Sequence, residues 1–194
     1  MTQLVFATNN AHKLEEVQAM VGDNIHLLTL AEIGCTDDIP ETGNTFEANA
    51  SQKSAYLKNR YKYDCFADDS GLEVEALNNE PGVYSARYSG TRDMEKNIDL
   101  LLSRLDEHTN RKARFRTVIS LRLKGKEYFF EGSIEGTIGF GRKGTGGFGY
   151  DPLFTPNGYT QTFAEMSAAE KNAISHRAIA VKKLADFLKR YQAG

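Results

Sequence analysis

A chain of 194 residues with 40% hydrophobic side chains can form one large domain or two lobes on a shared core, and is too apolar to be disordered or fibrous. Its formal net charge of -2 offers no whole-protein attraction to nucleic acid, and no apolar run approaches the roughly 18 residues of a membrane span. Two cysteines, Cys35 and Cys65, do not make a disulfide framework, and Met1–Val5 lack the basic-then-apolar pattern of an export signal, so the expectation is a cytoplasmic protein with no nucleic-acid and no membrane partner.

Leu4-Val5-Phe6-Ala7 reads as a buried first strand running through Thr8-Asn9-Asn10 into an Asn-capped helix. That helix puts Leu14, Val17 and Val21 on its inner face and stops at Gly22. Lys13 lies in the first turn, where the helix dipole disfavours a cation. It is either a solvated lysine or the partner of an anion also held by the exposed N–H groups. Leu27–Leu30 suggests a second strand, and the stretch from Thr36 to Asn44, rich in Asp, Glu, Pro and Gly, a loop. A helix then opens at Thr45. Its apolar stripe of Phe46, Ala50 and Leu57 also carries Asn49 and Lys53, polar groups that must pair or reach a cavity.

Cys65-Phe66-Ala67 reads as the end of a buried strand, closed by Asp68-Asp69 and a turn at Ser70-Gly71. Leu72, Val74 and Ala76 then alternate with Glu73 and Glu75. Two ionised carboxylates at a strand end either start a turn or hold a divalent cation and activate a water beside it. Pro81 to Gly90 is a loop, and Asp93 caps a helix with Ile98, Leu101, Leu102 and Leu105 inward. Ala113–Leu123 and Glu127–Ile138 form a hairpin joined at Lys124-Gly125-Lys126, with Arg114, Arg116 and Arg122 on a mainly solvated face.

Eight glycines fall between Gly132 and Gly149 without a Walker-type lysine pattern. The closing Phe148-Gly149-Tyr150-Asp151-Pro152 suits either a tight approach to a planar ligand or an ordinary mobile loop. Ser167 and Glu170 fit a capping box that introduces Lys171. A last helix from about Ser175 to Tyr191 carries Val181, Leu184, Leu188 and Tyr191 on a stripe that Arg177 begins beside His176. No spacing suggests zinc, and no Ser-His-Asp arrangement is present.

Lys13, Lys53, Lys171 and Arg177, with acids at Glu41, Asp68 and Asp69 and glycine-rich loops, are what a polyphosphate ester would need: cations and a metal neutralise its charge during phosphoryl transfer. In Thr8-Asn9-Asn10-Ala11-His12-Lys13, Glu41-Thr42-Gly43-Asn44-Thr45-Phe46 with Asn49 and Lys53, Ala67-Asp68-Asp69-Ser70-Gly71-Leu72, Gly147-Phe148-Gly149-Tyr150-Asp151-Pro152 and Ser175-His176-Arg177, the chain resembles the inosine triphosphate pyrophosphatase family. The blocks stand in order from residue 4 to about 180. Glu47-Ala48-Asn49 is a local departure, the family often having Glu-Asn directly, yet Asn49 and Lys53 keep their spacing.

The resemblance implies a mixed α/β fold, a long bent β-sheet flanked by helices, with residues 1–194 forming a single domain of two lobes and the nucleotide in a central cleft. It implies a homodimer that uses Mg²⁺ to hydrolyse deaminated purine nucleoside triphosphates between the α- and β-phosphates. Residue by residue, Asp69 would be the proton acceptor and a metal-site residue, and Glu41 and Asp68 would support the metal. Thr8, Asn9, Asn10, Ala11, His12 and Lys13 would cradle the phosphates, Lys53 would hold phosphate at the attacked centre, and Ser70 would contact substrate. Phe148, Gly149, Tyr150, Asp151, Lys171, His176 and Arg177 would line the nucleoside end. Two rivals fit fewer blocks: a phosphatase with an aspartyl-phosphate intermediate, and a nucleotide sensor without turnover.

Overall fold

A computed structural model describes residues 2–192. Strands β1 (Thr2–Phe6), β2 (Ile25–Leu28), β3 (Cys65–Val74), β4 (Glu80–Pro81), β5 (Lys112–Leu123), β6 (Lys126–Ile138) and β7 (Phe154–Pro156) form one sheet. Their order is β2-β1-β3-β5-β6-β7, with β4 on β3. β1 pairs in parallel with β2 and β3, while β3–β4 and β6–β7 are antiparallel, so the sheet is mixed as expected. The helices are α1 (Ala11–Val21), α2 (Phe46–Tyr61), α3 (Met94–Leu105), α4 (Ala168–Ile174) and α5 (His176–Gln192). Among the described residues no helix is long and apolar enough to cross a membrane.

Helix boundaries follow local chemistry. Asn10 Oδ1 accepts from Lys13 N at 3.2 Å to start α1, Thr45 Oγ1 accepts from Ala48 N at 3.1 Å to start α2, and Asp93 Oδ1 takes two N–H groups at the head of α3. The capping box at Ser167 forms, each of Ser167 and Glu170 bonding the other's backbone. The hairpin turn has only two residues, Lys124 and Gly125, both at positive φ; Lys126 already belongs to β6.

Contacts divide the chain into two compact units. The first comprises residues 1–69, 117–132 and 177–194. In one of its clusters Leu4, Phe6 and Phe66 pack with Val17 and Val21 of α1 and Val181, Leu184 and Leu188 of α5. In the other, Val5, Ala7, Cys65 and Ala67 pack with Leu57 of α2. Each fully buried side chain of this kind contributes about 1.5–3 kcal/mol. The second unit comprises residues 70–116 and 133–176, built on Leu72, Val74, Ile98, Leu101, Leu105, Phe115, Phe154 and Phe163.

Three sequence expectations change. The second strand runs from Ile25 to Leu28, two residues earlier than expected. β3 does not turn at Ser70-Gly71 but continues to Val74, with nine of its ten residues buried. The place of β3 between β1 and β5 in the sheet outweighs the turn preference of that dipeptide. Nor is the arginine face mainly solvated. Arg116 Nη1 lies 3.9 Å from the buried Glu73, which also pairs with Arg114, and Arg122 donates to Ser54 Oγ at 3.0 Å and Ser51 Oγ at 3.2 Å. The buried Glu73 carboxylate and Ser54 hydroxyl need partners, and these arginines supply them.

Candidate active site

β3 brings Asp68 and Asp69 to adjacent positions, and the alternation of a strand sends them to opposite faces. The packing shows the same parity: Phe66 joins the α1 and α5 side, Cys65 and Ala67 the α2 side. Asp68 accordingly meets cations of α1 and α5, Lys13 Nζ at 2.9 Å and Arg177 Nε at 4.0 Å. Asp69 meets α2, where Asn49 Nδ2 donates to its Oδ2 at 2.9 Å. Also on α2, Lys53 pairs with Glu41 of the preceding loop. The polar residues on that helix's apolar stripe are thus paired inside, as the desolvation argument requires.

The two aspartates titrate apart. Burial pushes Asp68 up, but Lys13, Lys53 and Arg177 together outweigh it and hold the carboxyl well below the usual range. For Asp69 burial prevails over Lys53 and the Asn49 bond, with Glu41 and Asp68 adding repulsion, and its carboxyl is pushed up to about 6. Burial also lowers Lys13 despite Asp68, with Arg177 and Lys53 acting in the same direction as burial. Lys53 goes the other way: burial opposes its charge, yet Asp68, Glu41 and Asp69 raise it. One acid is locked as an anion among cations, and its neighbour is poised near neutrality. That pairing suits a proton acceptor beside a fixed positive field.

Among the described residues no three His, Cys, Asp or Glu side chains converge to hold a metal. Of the expected metal residues Glu41, Asp68 and Asp69, strand parity directs Asp68 to Lys13 and Arg177. Glu41 and Asp69 remain as hard oxygen donors close enough to repel one another. This donor set fits Mg²⁺, which takes one or two carboxylates and completes its shell with waters and substrate phosphates.

Around the start of α1, Asn10 N donates to Thr8 Oγ1 at 3.1 Å, so Thr8 and Asn10 shape the turn that presents the helix N-terminus. Asn9 and Ala11 are exposed beside it. The His12 side chain lies outside the described residues.

The nucleoside-end candidates assemble in the second unit, except Arg177, whose guanidinium belongs with Asp68 in the first. Asp151 Oδ2 accepts from Lys171 Nζ at 2.7 Å and from Phe148 N at 3.1 Å. Lys171 Nζ also lies 4.7 Å from the Phe148 ring centre and 5.7 Å from that of Phe163. Gly147, at φ 68°, has no room for a side chain: a β-carbon would stand 2.1 Å from Asp151 Oδ2. At Gly147 the protein's own Asp151 approaches the backbone closely, and Gly149 is the open position of the pair. Tyr150 OH donates to Ser85 O at 2.7 Å. His176 stacks on Phe115, ring centres 4.9 Å apart and nearly parallel. Ser70 is the half-buried member of β3.

Sequence reasoning overlooked Asp37. It accepts from Tyr56 OH at 2.9 Å and Tyr61 OH at 2.7 Å, and pairs with Arg60, tying the loop that carries Glu41 to α2. The signal was available in Tyr56 and Arg60, four apart on one helix face.

Against known proteins, the profile of the Ham1 family matches residues 4–187. A protein of Flavobacterium psychrophilum called dITP/XTP pyrophosphatase is 53% identical over 188 residues, covering 96% of this chain and 99% of that one. One of the same name from Porphyromonas gingivalis is 52% identical over 190 residues, covering 97% and 98%. The Ham1 protein structure of Staphylococcus aureus superposes with a TM-score of 0.92 at 40% identity, covering 98% of this chain and all of that one. The resemblance read from the motif blocks is therefore sound, and with nearly the whole length matched in both sequence and structure, the chain belongs to the Ham1 family.

Proposed function

We propose that the chain is a nucleoside triphosphate pyrophosphatase that hydrolyses dITP, ITP and XTP to the nucleoside monophosphate and pyrophosphate. The observation that carries the reading is the pair of adjacent aspartates with opposite assignments, Asp69 poised to take a proton and Asp68 holding Lys13 and Arg177 in place. Relatives at about half identity carry the name dITP/XTP pyrophosphatase, which supports the same activity here.

In this reading Asp69 takes the proton of a water that attacks the α-phosphorus. Lys53 neutralises charge at the attacked phosphoryl group, and Thr8 to Lys13 hold the outer phosphates at the start of α1. Arg177 sits with these phosphate-facing cations. When bound by Glu41, Asp69 and substrate phosphates, Mg²⁺ supplies further neutralisation of the phosphoryl oxygens. In the second unit, Phe148 offers a ring for the base, and Lys171, Asp151 and His176 frame the nucleoside end. The enzyme acts as a cytoplasmic homodimer, its two units being lobes of a single domain.

The test is a panel of nucleoside triphosphates with Mg²⁺, scored for pyrophosphate against orthophosphate. Pyrophosphate from dITP, ITP and XTP, with kcat/KM at least about 10²-fold above ATP and GTP, is the expected result, on the scale of a lost hydrogen-bond match. Orthophosphate with a covalently labelled aspartate would favour the aspartyl-phosphate phosphatase, and tight binding without product the sensor. In ¹⁸O water the label should enter the monophosphate; label in pyrophosphate would place the attack at the β-phosphorus.

A further inference from the structure

Asn49 joins two parts of the candidate site. It is 1% exposed, on the inward stripe of α2. Its Nδ2 donates to Asp69 Oδ2 at 2.9 Å, and its Oδ1 accepts from the Gly43 N–H at 2.7 Å. Those partners set the amide's orientation. A carboxylate accepts and a backbone N–H donates, so the flipped amide would face like with like at both ends.

Gly43 follows Glu41 by two residues, and a β-carbon there would meet Ala48 Cβ at 2.7 Å and Asn49 Oδ1 at 2.8 Å. The loop thus lies on α2 at backbone contact. Gln52 fastens the intervening Thr42, accepting from its N–H and donating to its hydroxyl, both at 2.9 Å. Lys53 takes Glu41. Three side chains of one helix therefore hold three consecutive loop residues, and Asn49 extends that hold to Asp69 on β3.

We infer that Asn49 is a positioning residue for the hydrolysis, fixing the rotation of the Asp69 carboxylate and the seat of the Glu41 loop with one amide. The inference rests on the proposed role of Asp69 as proton acceptor. A buried asparagine that merely satisfies its neighbours would support the fold without acting through Asp69, and the two roles differ in how their losses combine.

The experiment measures kcat and KM for dITP, with pyrophosphate scored, in the parent, Asn49→Ala, Asp69→Asn and the double variant at saturating Mg²⁺. Asn49→Ala should lower kcat by about 10- to 100-fold with KM within about threefold, the scale of one lost hydrogen bond to a charged group. Added to Asp69→Asn, it should cost less than about threefold, because its effect runs through the carboxylate already removed. An equal loss in both backgrounds, or a single variant with kcat within about twofold of the parent, overturns the positioning role by the same non-additivity argument. Asn49→Ser, judged by the same criteria, serves where alanine fails to fold. If Asp69→Asn shows no measurable turnover, the kcat-against-KM split of the single variant decides. A parent that releases no pyrophosphate from dITP defeats the proposed function itself, whereas an active parent matched by Asn49→Ala defeats only the role of Asn49.

Discussion

At the scale of single residues, Asp69 combines a cost in stability with a use in chemistry. Its folded carboxyl titrates near 6 against an ordinary value of 3.8. The folded state therefore binds more protons than the unfolded chain between those pH values. Stability falls as pH rises through that window, and the cost stays constant above it. Asp69→Asn, free of this charge, should be more stable than the parent by about 1–3 kcal/mol at pH 7, the difference vanishing below about pH 4. Urea titrations at the two pH values check it, and equal stability at pH 7 would mean the carboxylate is not desolvated. The same variant should lose about 10²–10⁴ in kcat, the usual worth of a general base. In the parent, kcat/KM should rise with pH through the Asp69 titration. Near-normal turnover of Asp69→Asn would remove this residue from the proposed mechanism.

Elements place these residues with differing security. α2 is long, capped by Thr45, and anchored by Phe46, Ala50 and Leu57, so Asn49 and Lys53 ride on a rigid support. α4 has seven residues and depends more on its capping box, and the Lys171 that meets Asp151 and Phe148 sits within it. Ser167→Ala should cost about 1 kcal/mol and speed amide exchange over Ala168–Ile174. Unchanged exchange there would show that packing of the segment, not its cap, holds Lys171. The helix positions were readable in advance because caps and a 3.6-residue period are local signals. The Asn49–Lys53 spacing was readable for the same reason. The course of β3 was not, since Ser70-Gly71 follows the place of β3 between strands far away in sequence.

For the whole molecule, the free thiols and the proposed dimer give two measurements. Cys65 is fully buried and burial pushes its thiol up to about 12, so it is unreactive while the fold is closed. Cys65 labelling by a thiol reagent should follow global unfolding in denaturant; rapid labelling in native buffer would mean that the β3 core opens locally. Light scattering should return twice 21.6 kDa if the homodimer proposal is right, and 21.6 kDa would count against it.

The sequence by itself carried the chemistry and most of the elements. Helix caps, apolar periods, the Gly43 and Gly147 blocks and the roster of acids and cations are written in neighbouring residues, where steric and hydrogen-bonding preferences act without the rest of the chain. Tertiary structure decided the partners. Asp68 and Asp69 look like one pair along the chain, yet a strand's alternation gives Asp68 to Lys13 and Arg177 and Asp69 to Asn49. His176 and Arg177 are neighbours in sequence, but one stacks on Phe115 and the other faces Asp68. Whether Arg116 is solvated or set against a buried Glu73 depends on which strands lie together. The reason is common to all three: the charge state and use of a buried polar group are set by what surrounds it in space, and desolvation makes that surrounding decisive.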